Sequence, residues 1–211
     1  MKNLIIIGAR GAGREVIDAA TRCVGYGTEW EIKGFLDDDR TTLDGFKGYP
    51  PILDSVEQYA VQENDVFVCP LGNPKYKKIY AEKIMSKGGQ FINLIPPYAM
   101  PNEYVTLGTG IIIHAFTAIS AGVSVGNMVT VQSHLIIGHD AEVGAYSQLS
   151  SFSFIGGYSK LGECVAVNAG ATIIDRITIG DYATVGAGSV VIKNIKAGTT
   201  VFGNPAREIA S

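Results

Sequence analysis

Large aliphatic residues recur at every sixth place from Leu107. Ile113, Ile119, Val125, Val131, Ile137, Val143, Leu149, Ile155, Leu161, Val167, Ile173, Ile179, Val185 and Val191 follow without a gap, and Ala197 closes the column. Ordinary strands alternate with period two and would drift out of this phase, so the column marks a repeat. Four places after each member stands a second series, mostly small or β-branched, that includes Thr117, Val123, Ala141, Ser147, Ser159 and Ala171. Two inward positions per hexad fit a three-sided prism in which each hexad supplies one short strand and one turn, and coils of three hexads stack on one another. This predicts a left-handed parallel β-helix. Gly108, Gly126, Gly138, Gly144, Gly156, Gly162, Gly180 and Gly186 follow the aliphatic column directly and are expected to permit the bend at the corners. No residue is inserted between Leu107 and Val201, so no long loop should interrupt the prism.

Before the repeat the pattern changes. Leu4 to Ile7 reads as a buried strand, followed by a glycine-rich turn and a helix from about Ala12 to Val24. WEIKGFLDDD supplies a second strand ending at Asp37, DVFVCP a third, PKYKKIYAEKIMSKG a helix and QFINLI a last strand. The alternation predicts a small Rossmann-like parallel α/β domain over residues 1–97, with Pro96 and Pro97 breaking the chain before a β-helix domain over residues 98–211. The glycine order Gly8, Gly11, Gly13 is GxxGxG and not the GxGxxG of a dinucleotide fingerprint, which disfavours hydride chemistry. Glycine still lets backbone approach a ligand, and the N–H groups opening the next helix attract phosphate. Ligands of open α/β sheets sit at the carboxyl ends of strands. Arg10 to Gly13, Asp37–Asp38 and Gly72–Asn73 meet that description, and a nucleotide or nucleotide-sugar is the expected occupant.

Composition narrows the picture. Glycine is abundant at 26 of 211 residues, as a chain of many tight turns requires. The net charge of −3 is thinly spread, with no basic stripe for nucleic acid. The apolar run opening the chain is too short for a secretory segment or a membrane span, and Cys23, Cys69 and Cys164 lack CxxC spacing, so the expectation is a cytoplasmic protein with free thiols. All three histidines, His114, His134 and His139, lie in the repeat. His139 is followed by Asp140, whose carboxylate is suited to orient an imidazole acting as a general base. One coil later at the same phase is Gly157, which leaves room for an acyl group and offers a backbone N–H to an oxyanion.

With the hexads, the IGHD element around His139 and the closing GNPAR of Gly203 to Arg207, the chain resembles the NeuD-like sugar O- and N-acyltransferases along nearly its whole length. That family joins a nucleotide-sugar-binding α/β domain to a trimeric left-handed β-helix that binds acetyl-CoA between subunits. The resemblance implies His139 as catalytic base with Asp140 as its acidic partner. It implies acetyl-CoA contacts at Gln148, Ala169 and Ala187, to which Gly157 is added by its spacing from His139, and acceptor contacts at Arg10, Gly11, Ala12, Asp37, Asp38 and Gly72. Two positions depart from the family pattern: its usual histidine in GASGHG is Ala12, and its second prism histidine is Gln148.

The resulting expectation is an acetyl-CoA-dependent acetyltransferase acting by direct transfer on a nucleotide-linked amino-sugar, assembled as a homotrimer and without a metal. O-acetylation of sialic acid or another free sugar is an alternative. So is a non-catalytic β-helix scaffold. A third is a zinc enzyme of the gamma carbonic anhydrase type, since His134 and His139 stand five residues apart as in those sites. The third ligand is missing there, because its place is Tyr98.

Overall fold

The computed structural model describes residues 1–210. The chain opens with strand β1 (Lys2–Ile7), helix α1 (Gly11–Thr21), strands β2 (Trp30–Leu36), β3 (Ile52–Asp54) and β4 (Asp65–Val68), helix α2 (Pro74–Ser86) and strand β5 (Gln90–Phe91). These five strands form one parallel sheet in the order β3-β2-β1-β4-β5. Short β3 was not visible in the hydrophobic pattern, because all three of its residues are only half-buried at the sheet edge. Helix α1 packs tightly on β1: a Cβ at Gly13 would lie 1.8 Å from the Gly8 carbonyl oxygen, so only glycine fits there. QFINLI is not one strand. Gln90 and Phe91 extend the sheet, whereas Leu94 already bridges to Ile112 in the prism, and Ile95 packs into the prism core.

Beyond Leu94 the chain winds into a three-faced solenoid of two-residue strands paired in parallel at an 18-residue register, as in Val125↔Val143 and Ile137↔Ile155. The aliphatic column fills its axis. The second inward series is buried too, and its hydroxyls are satisfied locally: Thr117 donates to the His114 carbonyl at 2.8 Å and Ser159 to the Ile174 carbonyl at 3.1 Å. The corner glycines serve another purpose than bending. None of the eight has a positive φ; a Cβ on Gly126, Gly138 or Gly144 would instead meet the backbone of the next coil at 2.7 Å or less. The left-handed turn position lies two residues further on and is filled largely by Phe116, Met128, His134, Asp140, Tyr146, Phe152, Tyr158, Cys164, Arg176 and Tyr182. The hexads also end earlier than the sequence suggests. Ile179 pairs with Ile195 and Val185 with Val201, a spacing of 16, so the last coil is two residues shorter. Ile195 takes the inward place and Ala197 is exposed.

The three faces differ. One carries Ile112, Thr130 and Gln148 outward, all buried beneath the α/β domain. A second exposes Met100, Ile136 and Phe154 and is apolar. The third carries Thr106, Ser124, Glu142, Lys160 and Thr178 and is polar, with Glu142 and Lys160 ion-paired at 2.8 Å. Between docked and apolar faces runs a ladder edge of Tyr98, Phe116, His134 and Phe152, with neighbouring rings 5.0–6.2 Å apart. Between polar and docked faces runs a helix edge, where Lys78 of α2 pairs with Glu163. The remaining edge, between apolar and polar faces, is opposite the docked face and carries His139, Asp140, Tyr158 and Arg176. We refer to it as the far edge.

Docking centres on Lys77, which is fully buried. Its Nζ donates to Thr130 Oγ1 at 3.0 Å, Gln148 Oε1 at 3.1 Å and the Ser147 carbonyl at 3.3 Å. All three acceptors are neutral, so burial dominates and pushes the ammonium down to about 8. Between that value and the ordinary 10.5 the folded chain binds fewer protons than the unfolded chain, and the penalty for burying the charge is relieved as pH rises through the window. Relative to Lys77→Met, the wild-type protein should therefore gain roughly 3 kcal/mol of unfolding free energy between pH 7 and 10. Parallel denaturant titrations of both proteins measure the difference, and a constant difference would rule out a charged, buried Lys77.

Candidate active site

His139 and Asp140 are brought together by a single turn. His139 Nδ1 lies 2.8 Å from Asp140 Oδ2, and the two side chains are 59% and 47% exposed on the far edge. Asp140 occupies the left-handed turn position with φ +58°, a conformation aspartate accepts more readily than most residues. One coil earlier Gly122 makes room for its carboxylate, since a Cβ there would stand 2.4 Å from Asp140 Oδ1. With Nδ1 engaged by the carboxylate, Nε2 is the ring nitrogen left open, and it faces Gly157, where a Cβ would come within 3.2 Å of it. A fixed tautomer, an accessible nitrogen and a side-chain-free neighbour are what proton removal from a bound nucleophile needs.

One expectation for Gly157 requires correction. Its N–H donates to Asp175 Oδ1 at 2.9 Å and is not free to receive an oxyanion. The aspartate of the next coil, in the register that stacks the turns, consumes the donor. Sequence reasoning missed Gly122 and Asp175 because both act through the coil above or below, 18 residues away.

The other expected prism contacts do not join His139 within one chain. Gln148 lies on the docked face, 6% exposed, with Oε1 held by Lys77. Ala169 and Ala187 are exposed turn residues continuing the ladder edge beyond Phe152, beside Gly170 and Gly188. The apolar face separates them from His139. His134 is stacked 5.0 Å from Phe152 on the ladder edge while His139 is on the far edge, so the two histidines do not converge on one ion. Among the described residues no group of three or more His, Cys, Asp or Glu side chains is arranged to hold a metal. His114 is mostly buried near α1, which lowers its pKa.

A second candidate site is a cavity of about 500 Å³ at the carboxyl ends of the sheet strands. Arg10, Ala12, Asp37, Asp38 and Gly72 line it, as the strand-end argument anticipated; Gly11 opens α1 without lining it. The two carboxylates differ in use. Asp37 accepts from the Ala9 N–H at 2.8 Å and the Asp39 N–H at 3.0 Å, so it shapes the loop. Asp38 accepts from Tyr80 Oη at 2.6 Å through one oxygen, and its second oxygen has no partner among the described residues. That bond pushes the tyrosine hydroxyl up to about 12. Tyr76 and Tyr80 of α2 complete the wall; their place in a helix pattern gave no hint of it.

A coiled prism with an oriented histidine on its edge and a strand-end cavity in a preceding α/β domain is the architecture of a hexapeptide-repeat acyltransferase. Residues 3–84 match the PglD N-terminal domain model. No curated protein matches by sequence. Among solved structures, the acetyltransferase domain of PglB from Neisseria gonorrhoeae in complex with acetyl coenzyme A is 27% identical, with 99% of each chain covered and a TM-score of 0.88. PerB from Caulobacter crescentus in complex with CoA and GDP-perosamine is 25% identical over 100% of this chain and 98% of that one, with a TM-score of 0.88. A mutant of perosamine N-acetyltransferase from the same organism, with the same ligands, is 24% identical over the same shares, with a TM-score of 0.89. Residues 3–84 thus carry a PglD N-terminal domain, and the chain as a whole is similar in fold and extent to these sugar acetyltransferases.

Gly122→Ala tests the packing beneath Asp140. The added methyl displaces the carboxylate, so turnover should fall about tenfold or more with His139 and Asp140 both intact, while the strain at φ +73° costs on the order of 1 kcal/mol of stability. Steady-state rates beside thermal melts separate the two effects; unchanged turnover would show that Asp140 does not need that space.

Proposed function

We propose that this protein transfers the acetyl group of acetyl-CoA to the amine of a nucleotide-linked amino-sugar, with His139 as general base. The observation that carries the reading is the His139–Asp140 pair, with Nε2 open toward Gly157. His139 removes a proton from the amine as it attacks the thioester carbonyl. Asp140 stabilises the resulting imidazolium, which returns the proton to the departing CoA thiolate. The amine arrives with its ammonium proton already lost, a step accessible near neutral pH, whereas a sugar hydroxyl must be deprotonated during attack. No covalent intermediate with the protein is required.

The acceptor is a nucleotide-sugar because a whole domain otherwise lacks a task. The cavity offers an N-terminal helix end to phosphates and the Asp38 carboxylate to the N–H of a base. The relatives whose structures hold CoA or acetyl coenzyme A, one together with GDP-perosamine, support both substrates.

The assembly is a homotrimer with the active site shared between copies. That cavity belongs to the docked side of the prism and His139 to the opposite edge, so one copy's base serves an acceptor held by a neighbour. The apolar face, bounded by the aromatic ladder on one side and His139 on the other, supplies the surface to bury. It also separates Ala169 and Ala187 from His139, so a CoA groove using all three must run between prisms.

His139→Ala should lower kcat by roughly two to four orders of magnitude and leave CoA affinity unchanged, while His114→Ala stays near wild type. Following free thiol release from acetyl-CoA against UDP-, GDP- and dTDP-linked amino-sugars, and against the same sugars freed of nucleotide, tests the substrate. Equal kcat/KM for the linked and free sugars would show that the α/β domain does not read the nucleotide. Mixing His139→Ala with Asp38→Ala protein should restore activity above either alone, by forming sites with both functions intact. A fully active monomer in sedimentation equilibrium would remove the shared site.

A further inference from the structure

The left-handed turn position costs a non-glycine side chain on the order of 1 kcal/mol, and Gly110, Gly122, Gly170 and Gly188 fill it without that cost. Bulky residues there call for a reason. On the helix edge the reason is packing: Met128 and Cys164 are buried, and Lys78 of α2 reaches both Tyr146 and Tyr182. On the ladder edge the rings stack on one another. The far edge has no domain over it, yet Tyr158 takes the position at φ +57° and Arg176 at φ +64°.

Tyr158 is one coil beyond His139 and shares its side of the prism. Its ring meets the His139 imidazole edge-on, with centroids 5.0 Å apart and planes at 87°, and the Arg176 guanidinium lies 4.6 Å from the ring centroid. The ring is thus braced between a histidine on the coil before and an arginine on the coil after. It remains 45% exposed, and its hydroxyl makes no hydrogen bond to any described residue. A phenol ring packed on both sides, with a hydroxyl that has no partner among the described residues, therefore stands beside the His139 imidazole. His139 Nε2 faces Gly157, the residue that precedes Tyr158 on the same turn, so a nucleophile bound to that nitrogen would approach the turn that carries Tyr158.

We propose that Tyr158 is a specificity-determining residue whose hydroxyl hydrogen-bonds the sugar hydroxyl adjacent to the reacting amine, fixing the acceptor ring against the base. This rests on the acetyl transfer proposed above. Arg176 acts through Tyr158 as a positioning residue, by holding the ring. The arrangement selects amino-sugars with a polar neighbour to the amine over deoxy analogues.

The test uses acetyl-CoA and the nucleotide-linked amino-sugar turned over best by the wild-type enzyme, beside the analogue that lacks the vicinal hydroxyl. Tyr158→Phe preserves the ring and its packing. It should reduce kcat/KM for the hydroxylated acceptor about tenfold, chiefly through KM, and leave the KM for acetyl-CoA within about twofold. For the deoxy acceptor, wild type and Tyr158→Phe should be equal. Arg176→Ala should move the acceptor KM in the same direction by a smaller factor, again without affecting the acetyl-CoA KM. An equal loss with both acceptors, no loss with either, or a loss expressed in the acetyl-CoA KM would overturn the role of Tyr158 while leaving acetyl transfer standing. No thiol release by wild type with any acceptor would remove the transferase reading and this role together.

Discussion

The 18-residue stacking register governs this molecule. Each coil is held to the next by backbone hydrogen bonds such as Ser120 N–H to the Ile137 carbonyl at 3.0 Å and Gly138 N–H to the Ile155 carbonyl at 2.8 Å. A two-residue strand has no stability of its own; it persists because its neighbours on both sides pair with it and its aliphatic member is buried on the axis. The register also decides which functional groups meet. Gly122, Asp140, Tyr158 and Arg176 are adjacent because they are one coil apart, and the same rule assigns the Gly157 N–H to Asp175. A one-residue slip would break the far edge as thoroughly as it would break the core.

The docked domain adds a second constraint. Lys77 exchanges hydration for three neutral acceptors on the prism surface, so its burial carries a desolvation cost that no opposite charge offsets. The three bonds still fix α2 in direction as well as position. They orient the Gln148 amide, since an ammonium donates only and must face the oxygen. The strand-end cavity, walled partly by Tyr76 and Tyr80 of the same helix, is thereby held at a set distance from the solenoid.

Much of this was legible in the chain. The aliphatic column needs no tertiary information, because a solenoid's contacts repeat at a fixed sequence interval, and the adjacent pair His139–Asp140 carries its own geometry. Strand-end loops gather at one side of any parallel sheet, which is why Arg10, Asp37, Asp38 and Gly72 meet. Features that depend on neighbours were hidden. The corner glycines have a visible period but an invisible cause, the backbone of the next coil. The shortened final coil leaves the residues after Val191 superficially in phase, with Ala197 where a core residue was expected, and only the pairing of Ile179 with Ile195 exposes the change. Gln148 looks like any polar strand residue until α2 is laid over it.

The shortened coil is followed by a return of the chain across its own end. Thr200–Phe202 pairs with the antiparallel strand Arg207–Ala210, and Val190 exchanges hydrogen bonds with Gly203 and Ala206. A parallel solenoid is an open template, and its terminal coil presents the same unsatisfied backbone groups that recruit the next coil. By turning back, the final residues occupy those groups with a strand of opposite direction, onto which no further parallel coil can be laid. At the other end Leu94, where the chain leaves the α/β domain, pairs with Ile112 on the docked face. The returning strand thus caps the docked face at the C-terminal end, and the sides of the prism are left as the surfaces on which copies can associate.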